Sequence, residues 1–164
     1  EEENKELPDE LKPRPEYEIQ SGDFLVSRAN SRELVGGAAV VNQVRPKLLL
    51  CDKLYRIKLK PELATPHFMP YVFATPFLRF QIESLASGSS DSMQNISQEK
   101  VKGLEIVLPP VEEQHQIIQH IAIKTTEINA AIERTQREIE LIEEYRTTLI
   151  AHAVTGKIDV RSVV

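Results

Sequence analysis

The chain has no tryptophan and one cysteine, Cys51, in 164 residues. A single thiol excludes an internal disulfide framework and a cysteine-rich zinc site. Aromatic residues make up only 5% against a hydrophobic fraction of 41%, so a core must be built mostly from Ile, Leu and Val. No run approaches the ~18 consecutive apolar residues of a membrane span, and no signal-peptide pattern opens the chain. The expectation is a soluble cytoplasmic protein with no membrane partner. The chain starts on Glu1-Glu2-Glu3 rather than on Met, as a piece of a longer polypeptide could.

Catalytic signatures are missing too. There is no Gly-rich phosphate loop and no Gly-x-Ser-x-Gly turn. The histidines are His67, His115, His120 and His152, and none belongs to a His-Glu-x-x-His pair. His115 and His120 are five apart, which is not the spacing that places two ligands on one helix face. The chain is therefore expected to be no enzyme, with no metal and no cofactor.

Its most informative part is the last third. Neither Gly nor Pro occurs from Val111 to Ala153. Within that run Ile121, Thr125, Ile128, Ile132, Thr135, Ile139, Ile142, Arg146, Leu149 and Ala153 recur at alternating steps of four and three. A mean spacing of 3.5 keeps one stripe turned toward a partner helix, the pattern of a coiled coil. At about 1.5 Å per residue such a helix would be roughly 65 Å long, more than the rest of the chain could cover. A second helix, from another copy or from a missing half, is expected against Ile121, Ile128, Ile132, Ile139, Ile142 and Leu149. The alternative is that the helix packs on the chain's own domain, which its first few turns could do through Ile117 and Ile118.

The net charge of -5 hides an asymmetry. Residues 1–20 carry eight acids and three bases, an acidic lead-in broken by Pro8, Pro13 and Pro15. Residues 21–110 carry eight acids and eleven bases. There Arg45, Lys47, Lys53, Arg56, Lys58 and Lys60 face only Asp52 in sequence. Bases that share a face can bind a polyanion even in an acidic protein. The plainer alternative is a solvated strand face.

Residues 21–110 read as a small mixed domain. Strands are expected at Phe24–Arg28, Ala38–Val41, Leu48–Cys51, Lys53–Lys60 and Leu104–Leu108, with turns at Ser21-Gly22-Asp23 and Gly36-Gly37. Thr65-Pro66 and Thr75-Pro76 each place a capping hydroxyl before a proline, which predicts helices over about 66–74 and 76–86. Gly88 to Asn95 reads as a polar flexible loop, and Ser97 as the cap of a short helix through Lys102. Pro109-Pro110 precedes the long helix, Glu112 and Glu113 suit its first turn, and Gly156 marks its end. The fold class is α+β, a small β-rich domain with short helices followed by one long coiled-coil helix. The divisions are 1–20 (lead-in), 21–110 (domain), 111–155 (helix) and 156–164 (tail).

Two polar segments are suited to DNA. Ser27 to Arg32 follows a strand and offers Arg28, Asn30 and Arg32. Arginine can bind guanine bidentately and asparagine can bind adenine. A second segment, Ser87 to Asn95, offers Ser89, Ser90, Gln94 and Asn95. Lys47, Lys58 and Lys60 suit phosphate, because isolated ammonium groups act as point charges. The alternative for Arg28 or Asn30 is that it only ties down its own loop.

Two stretches carry a resemblance. Gly103-Leu104-Glu105-Ile106-Val107-Leu108-Pro109-Pro110-Val111-Glu112-Glu113-Gln114 resembles the end of a target recognition domain in type I restriction–modification specificity subunits. Ile142-Glu143-Glu144-Tyr145-Arg146 through Ile158-Asp159 resembles that family's spacer helix. Ser21 to Arg28 and Gly88 to Ser97 fit its looser pattern, so the resemblance spans about residues 20–160.

It implies a non-catalytic, sequence-specific subunit that binds double-stranded DNA and docks methyltransferase subunits, which carry the S-adenosylmethionine site. Such a subunit can also join the restriction subunit. It usually has two recognition domains and two spacer helices paired as an antiparallel coiled coil, whose length sets the gap in a bipartite site. Here one domain and one helix stand alone, which implies a C-terminal half or a half-size subunit that dimerises. A coiled-coil scaffold that binds protein and not DNA is the competing reading.

Overall fold

A computed structural model describes residues 6–159 and 161. Expectations for residues 1–5, Val160 and residues 162–164 lie outside the described residues. The chain divides into two compact units, one through Ile118 and one from Gln119 onward. Its class is α+β.

The first unit is organised by a three-stranded antiparallel sheet. Strand β1 (Phe24–Ser27) lies between β3 (Ala38–Val40) and β4 (Leu54–Ile57). Register pairs Phe24 with Val40 and Ile57, and Ser27 with Leu54. Phe24 and Val26 alternate inward along β1, as a half-covered strand requires. They meet Val35, Ala64, Met69, Phe73, Leu78, Ile82 and Ile96 in one core. Burying each large side chain contributes roughly 1.5–3 kcal/mol. Phe24 and Phe73 add an edge-to-face contact with ring centroids 5.5 Å apart.

A second antiparallel sheet was not legible in the sequence. Strand β2 (Ala29–Asn30) pairs with β6 (Met93–Asn95), which pairs in turn with β5 (Ser87–Ser90). The expected flexible loop is therefore a hairpin. Gly88 lies so close to β6 that an added Cβ would sit 1.9 Å from the Met93 carbonyl oxygen. Only glycine fits there.

The helices follow the expectations in part. Helix α1 covers only Met69–Phe73, and α2 covers Pro76–Leu85. The Thr75 hydroxyl accepts from Leu78 N–H at 3.4 Å, as an N-cap should. Thr65 is different: its N–H bonds to the Gln114 side chain instead of starting a helix. Ser97 caps α3 (Gln98–Lys102) through Lys100 N–H. Leu104–Leu108 is not a strand. The Gln81 side chain takes the place of a neighbour, accepting from Glu105 N–H and donating to Glu105 C=O, both at 3.0 Å. Leu48–Cys51 likewise contributes only a single bridge, Glu18 to Leu49.

The second half of the acidic lead-in is ordered on the domain. A 3₁₀ turn at Pro15–Tyr17 is followed by Ile19, whose N–H bonds to Leu48 C=O at 2.8 Å and whose side chain is buried.

Helix α4 runs from Val111 to Val154. Its first two turns belong to the first unit, with Ile117 and Ile118 half-buried. Gln114 is fully buried there. Its Nε2 donates to Leu63 C=O and Pro109 C=O, both at 2.8 Å, and its Oε1 accepts from Thr65 N–H at 2.9 Å. In the second unit, Ile128, Ile132, Ile139, Ile142 and Leu149 are exposed, and Ile121 is half-buried. Gly156, at φ +72°, ends the helix with Lys157 N–H returning to His152 C=O.

Candidate functional site

The two polar segments singled out in the sequence meet in the second sheet. Asn30 pairs with Gln94, and Ala29 with Asn95. Residues directly opposite in an antiparallel pair share a face, so Asn30 and Gln94 stand side by side. The ladder extends beyond β2, where Arg32 N–H bonds to Asp91 C=O at 2.8 Å. Ser89 and Ser90 are exposed on β5. One small sheet thus carries Asn30, Ser89, Ser90, Gln94 and Asn95, with Arg28 and Arg32 at the two ends of β2.

Arg28 stands where the two sheets join. Its N–H bonds to Lys53 C=O and its C=O accepts from Ile96 N–H. Its guanidinium lies 5.9 Å from the centre of the Tyr55 ring, within reach of a cation–π attraction. The Tyr55 hydroxyl donates to Ile96 C=O at 3.2 Å, which ties β4 to the end of β6. Lys53, exposed beside Arg28, is a cation of this site that the sequence reading left in a general basic run.

The side-chain bonds define what the sheet can offer. Asn30 Oδ1 accepts from Ser31 N–H, and Gln94 Nε2 donates to Ser90 C=O. Both amides therefore do hold their own loops. Each keeps one half spare among the described residues: the NH2 of Asn30 and the carbonyl oxygen of Gln94. A donor beside an acceptor is the complement of the adenine edge in the major groove. Ser90 and Ser92 hydroxyls bond to each other at 3.0 Å. Arg32 faces Asp91 at 3.7 Å, with both side chains largely in water. A pair this exposed is worth little and leaves the guanidinium available to another anion.

The remaining candidates are placed elsewhere. Because Ser27 pairs with Leu54, Arg28 lies at the start of β4, whereas Lys58 and Lys60 follow its other end. Four strand residues separate Leu54 from Lys58 by about 13 Å. Lys47, at φ +65°, bonds through its N–H to the Glu18 carboxylate. Arg56 serves the fold. Its guanidinium donates to Glu16 C=O and Glu18 C=O and stands 3.0 Å from Asp23, an ion pair set off the N–H axis. Among the described residues no carboxylate pairs with Arg28, Lys47, Lys53, Lys58 or Lys60, and no His, Cys, Asp and Glu group could hold a metal ion.

Comparison with known proteins gives this arrangement its context. The model of the type I restriction modification DNA specificity domain matches residues 3–141. This chain belongs to that family. It is 36% identical over 121 residues to the type I restriction enzyme EcoEI specificity subunit of Escherichia coli, covering 74% of this chain and 20% of the relative. It is 25% identical over 144 residues to the EcoKI specificity subunit of E. coli K12, covering 87% and 31%. The MjaVIII specificity subunit of Methanocaldococcus jannaschii is 24% identical over 157 residues, covering 94% and 35%. The chain thus spans about a fifth to a third of the length of these specificity subunits.

Proposed function

We propose that this chain reads one half of a bipartite double-stranded DNA site for a type I restriction–modification system. The observation that carries the reading is the β2–β6–β5 sheet. It gathers two polar segments some sixty residues apart onto one support, beside Arg28 and Lys53, which pair with no carboxylate among the described residues. Arg28, Asn30, Arg32 and Gln94 would meet base edges, with Ser89, Ser90, Asn95 and Lys53 close to them. Lys47, Lys58 and Lys60, farther along the domain, would meet phosphate. The proposed division is a recognition domain over 21–110 and a spacer helix over 111–155.

The exposed seam of α4 would pair with a second helix, from another copy or from the other half of a subunit, and so fix the gap between half-sites. The assembly would include methyltransferase subunits and, beyond them, the restriction subunit, and would work in the cytoplasm. No helix among the described residues is long and apolar enough to cross a membrane. The chain would do no chemistry itself.

Methylome mapping with the intact and the deleted gene tests this. A bipartite motif whose methylation disappears with the gene supports the reading, and an unchanged methylome refutes it. The seam by itself would equally suit a protein-only scaffold. DNA affinity that falls steeply with salt separates the two, because phosphate contacts release counterions.

A further inference from the structure

Helix α2 lies behind the segment that carries Arg32 and holds it at several points. Arg79 Nη1 donates to Val35 C=O at 2.7 Å, and Nη2 donates to Glu33 C=O at 3.0 Å and Arg32 C=O at 3.3 Å. Its side chain is only 20% exposed and also stands 3.6 Å from Glu83, one turn along α2. Three residues after Arg79, on the same helix face, Ile82 packs under Gly36, where an added Cβ would lie 2.6 Å from it. Gly36 takes φ +70° and bonds through its N–H to Ser27 C=O. The segment from Ser31 to Gly37 is therefore fixed by a planar cationic fork on the carbonyls of Arg32, Glu33 and Val35 and by an aliphatic wedge. The Arg32 side chain has no comparable anchor: it is exposed and, among the described residues, its one ion-pair partner is Asp91.

We propose that Arg79 is a positioning residue for sequence readout, holding the Arg32–Val35 turn so that Arg32 enters the DNA groove in one geometry. The inference rests on the DNA reading above. A guanidinium suits the task because its rigid fork can span several carbonyls, whereas a lysine ammonium is a single point. Arg79 need not touch DNA. Its effect would be on discrimination, which depends on a side chain arriving at a base edge in register, and much less on attraction to phosphate.

The test uses the full chain and duplexes selected by it from a randomised library, compared with unselected duplexes at one salt concentration. Measurements are made well below the melting temperature of each variant, which circular dichroism gives. Arg79→Lys should reduce the ratio of selected to unselected affinity by about tenfold, within the range for losing one base contact, and leave unselected binding within about twofold. Arg32→Ala should reduce the ratio similarly. In the Arg79→Lys background it should cost less than about twofold more, since residues acting as a unit are not additive. Arg79→Ala should follow Arg79→Lys, and if it does not fold the lysine variant carries the comparison.

Equal losses on both duplex pools, additive effects of the two substitutions, or an unchanged ratio in Arg79→Lys or Arg32→Ala would each overturn the inference while the DNA reading stands. A parent chain that binds no duplex overturns both.

Discussion

Gln114→Leu replaces a fully buried amide by an apolar side chain of similar size, so packing is nearly conserved and the hydrogen bonds are what change. Three backbone groups lose their partner: Thr65 N–H at 2.9 Å, and Leu63 C=O and Pro109 C=O at 2.8 Å. A buried polar group left unsatisfied costs about 1–3 kcal/mol. Leu63 is exposed and Thr65 and Pro109 are half-buried, so water can reach part of this backbone and the low end applies. The loss should be about 3 kcal/mol for the three groups together. For a chain of this size that lowers the melting temperature by roughly 6–12 °C. The assay is urea denaturation of parent and variant, followed by far-UV circular dichroism and by Tyr fluorescence. The midpoint should fall with little change in slope, since the surface exposed on unfolding is similar. The Tyr signal, which includes Tyr17, Tyr55 and Tyr71 of the first unit, should shift with it. A midpoint change equivalent to less than about 0.5 kcal/mol, the ordinary scale of a surface substitution, would refute the claim that this amide ties the start of α4 to its domain.

Three other outcomes are expected. Arg28→Ala should cost ~1–3 kcal/mol on the selected duplex with little loss on unselected DNA, whereas Lys58→Ala should weaken both alike and flatten the salt slope; equal losses for Arg28→Ala would remove it from base readout. Ile139→Asp places a carboxylate in the exposed seam of α4, and sedimentation should show a concentration-dependent parent dimer replaced by monomer. A parent that stays monomeric at high concentration would count against self-pairing. Gly88→Ala must move the Met93 carbonyl or break the β5–β6 pairing, so amide exchange in 87–95 should accelerate and duplex discrimination should fall; unchanged exchange would show that the hairpin absorbs the methyl group.

The sequence made some elements legible and hid others for identifiable reasons. The run from Val111 to Ala153, free of Gly and Pro and carrying the heptad repeat from Ile121 on, is a local signal, and α4 follows it to within a residue. Thr75-Pro76 is also local, and α2 begins there. Thr65-Pro66 has the same two residue types, but Thr65 is committed to Gln114, forty-nine positions away. Leu104–Leu108 has a strand composition without a strand partner, because the amide of Gln81 occupies its edge. Ser87 to Asn95 failed in the opposite direction. Serine and glycine have little intrinsic strand preference, and pairing with Ala29–Asn30 makes the hairpin a sheet. The candidate residues Arg28, Asn30, Arg32 and Gln94 were recognisable by chemistry, but their meeting was not. Gln114 and Arg79 were missed as anchors because an amide or a guanidinium looks like surface until its backbone partners are known.

The small sheet also limits how the domain can change. Its three strands come from segments some sixty residues apart, and each edge of β6 is occupied by one of them. Residues 28–32 and 87–95 are therefore one inheritance unit in two pieces. Transplanting either piece alone into a relative would set a foreign backbone against a ladder cut for another partner. Exchanging both together, with Gly88 kept, would carry the ladder across intact and leave the strands of the β1–β3–β4 sheet unchanged in sequence.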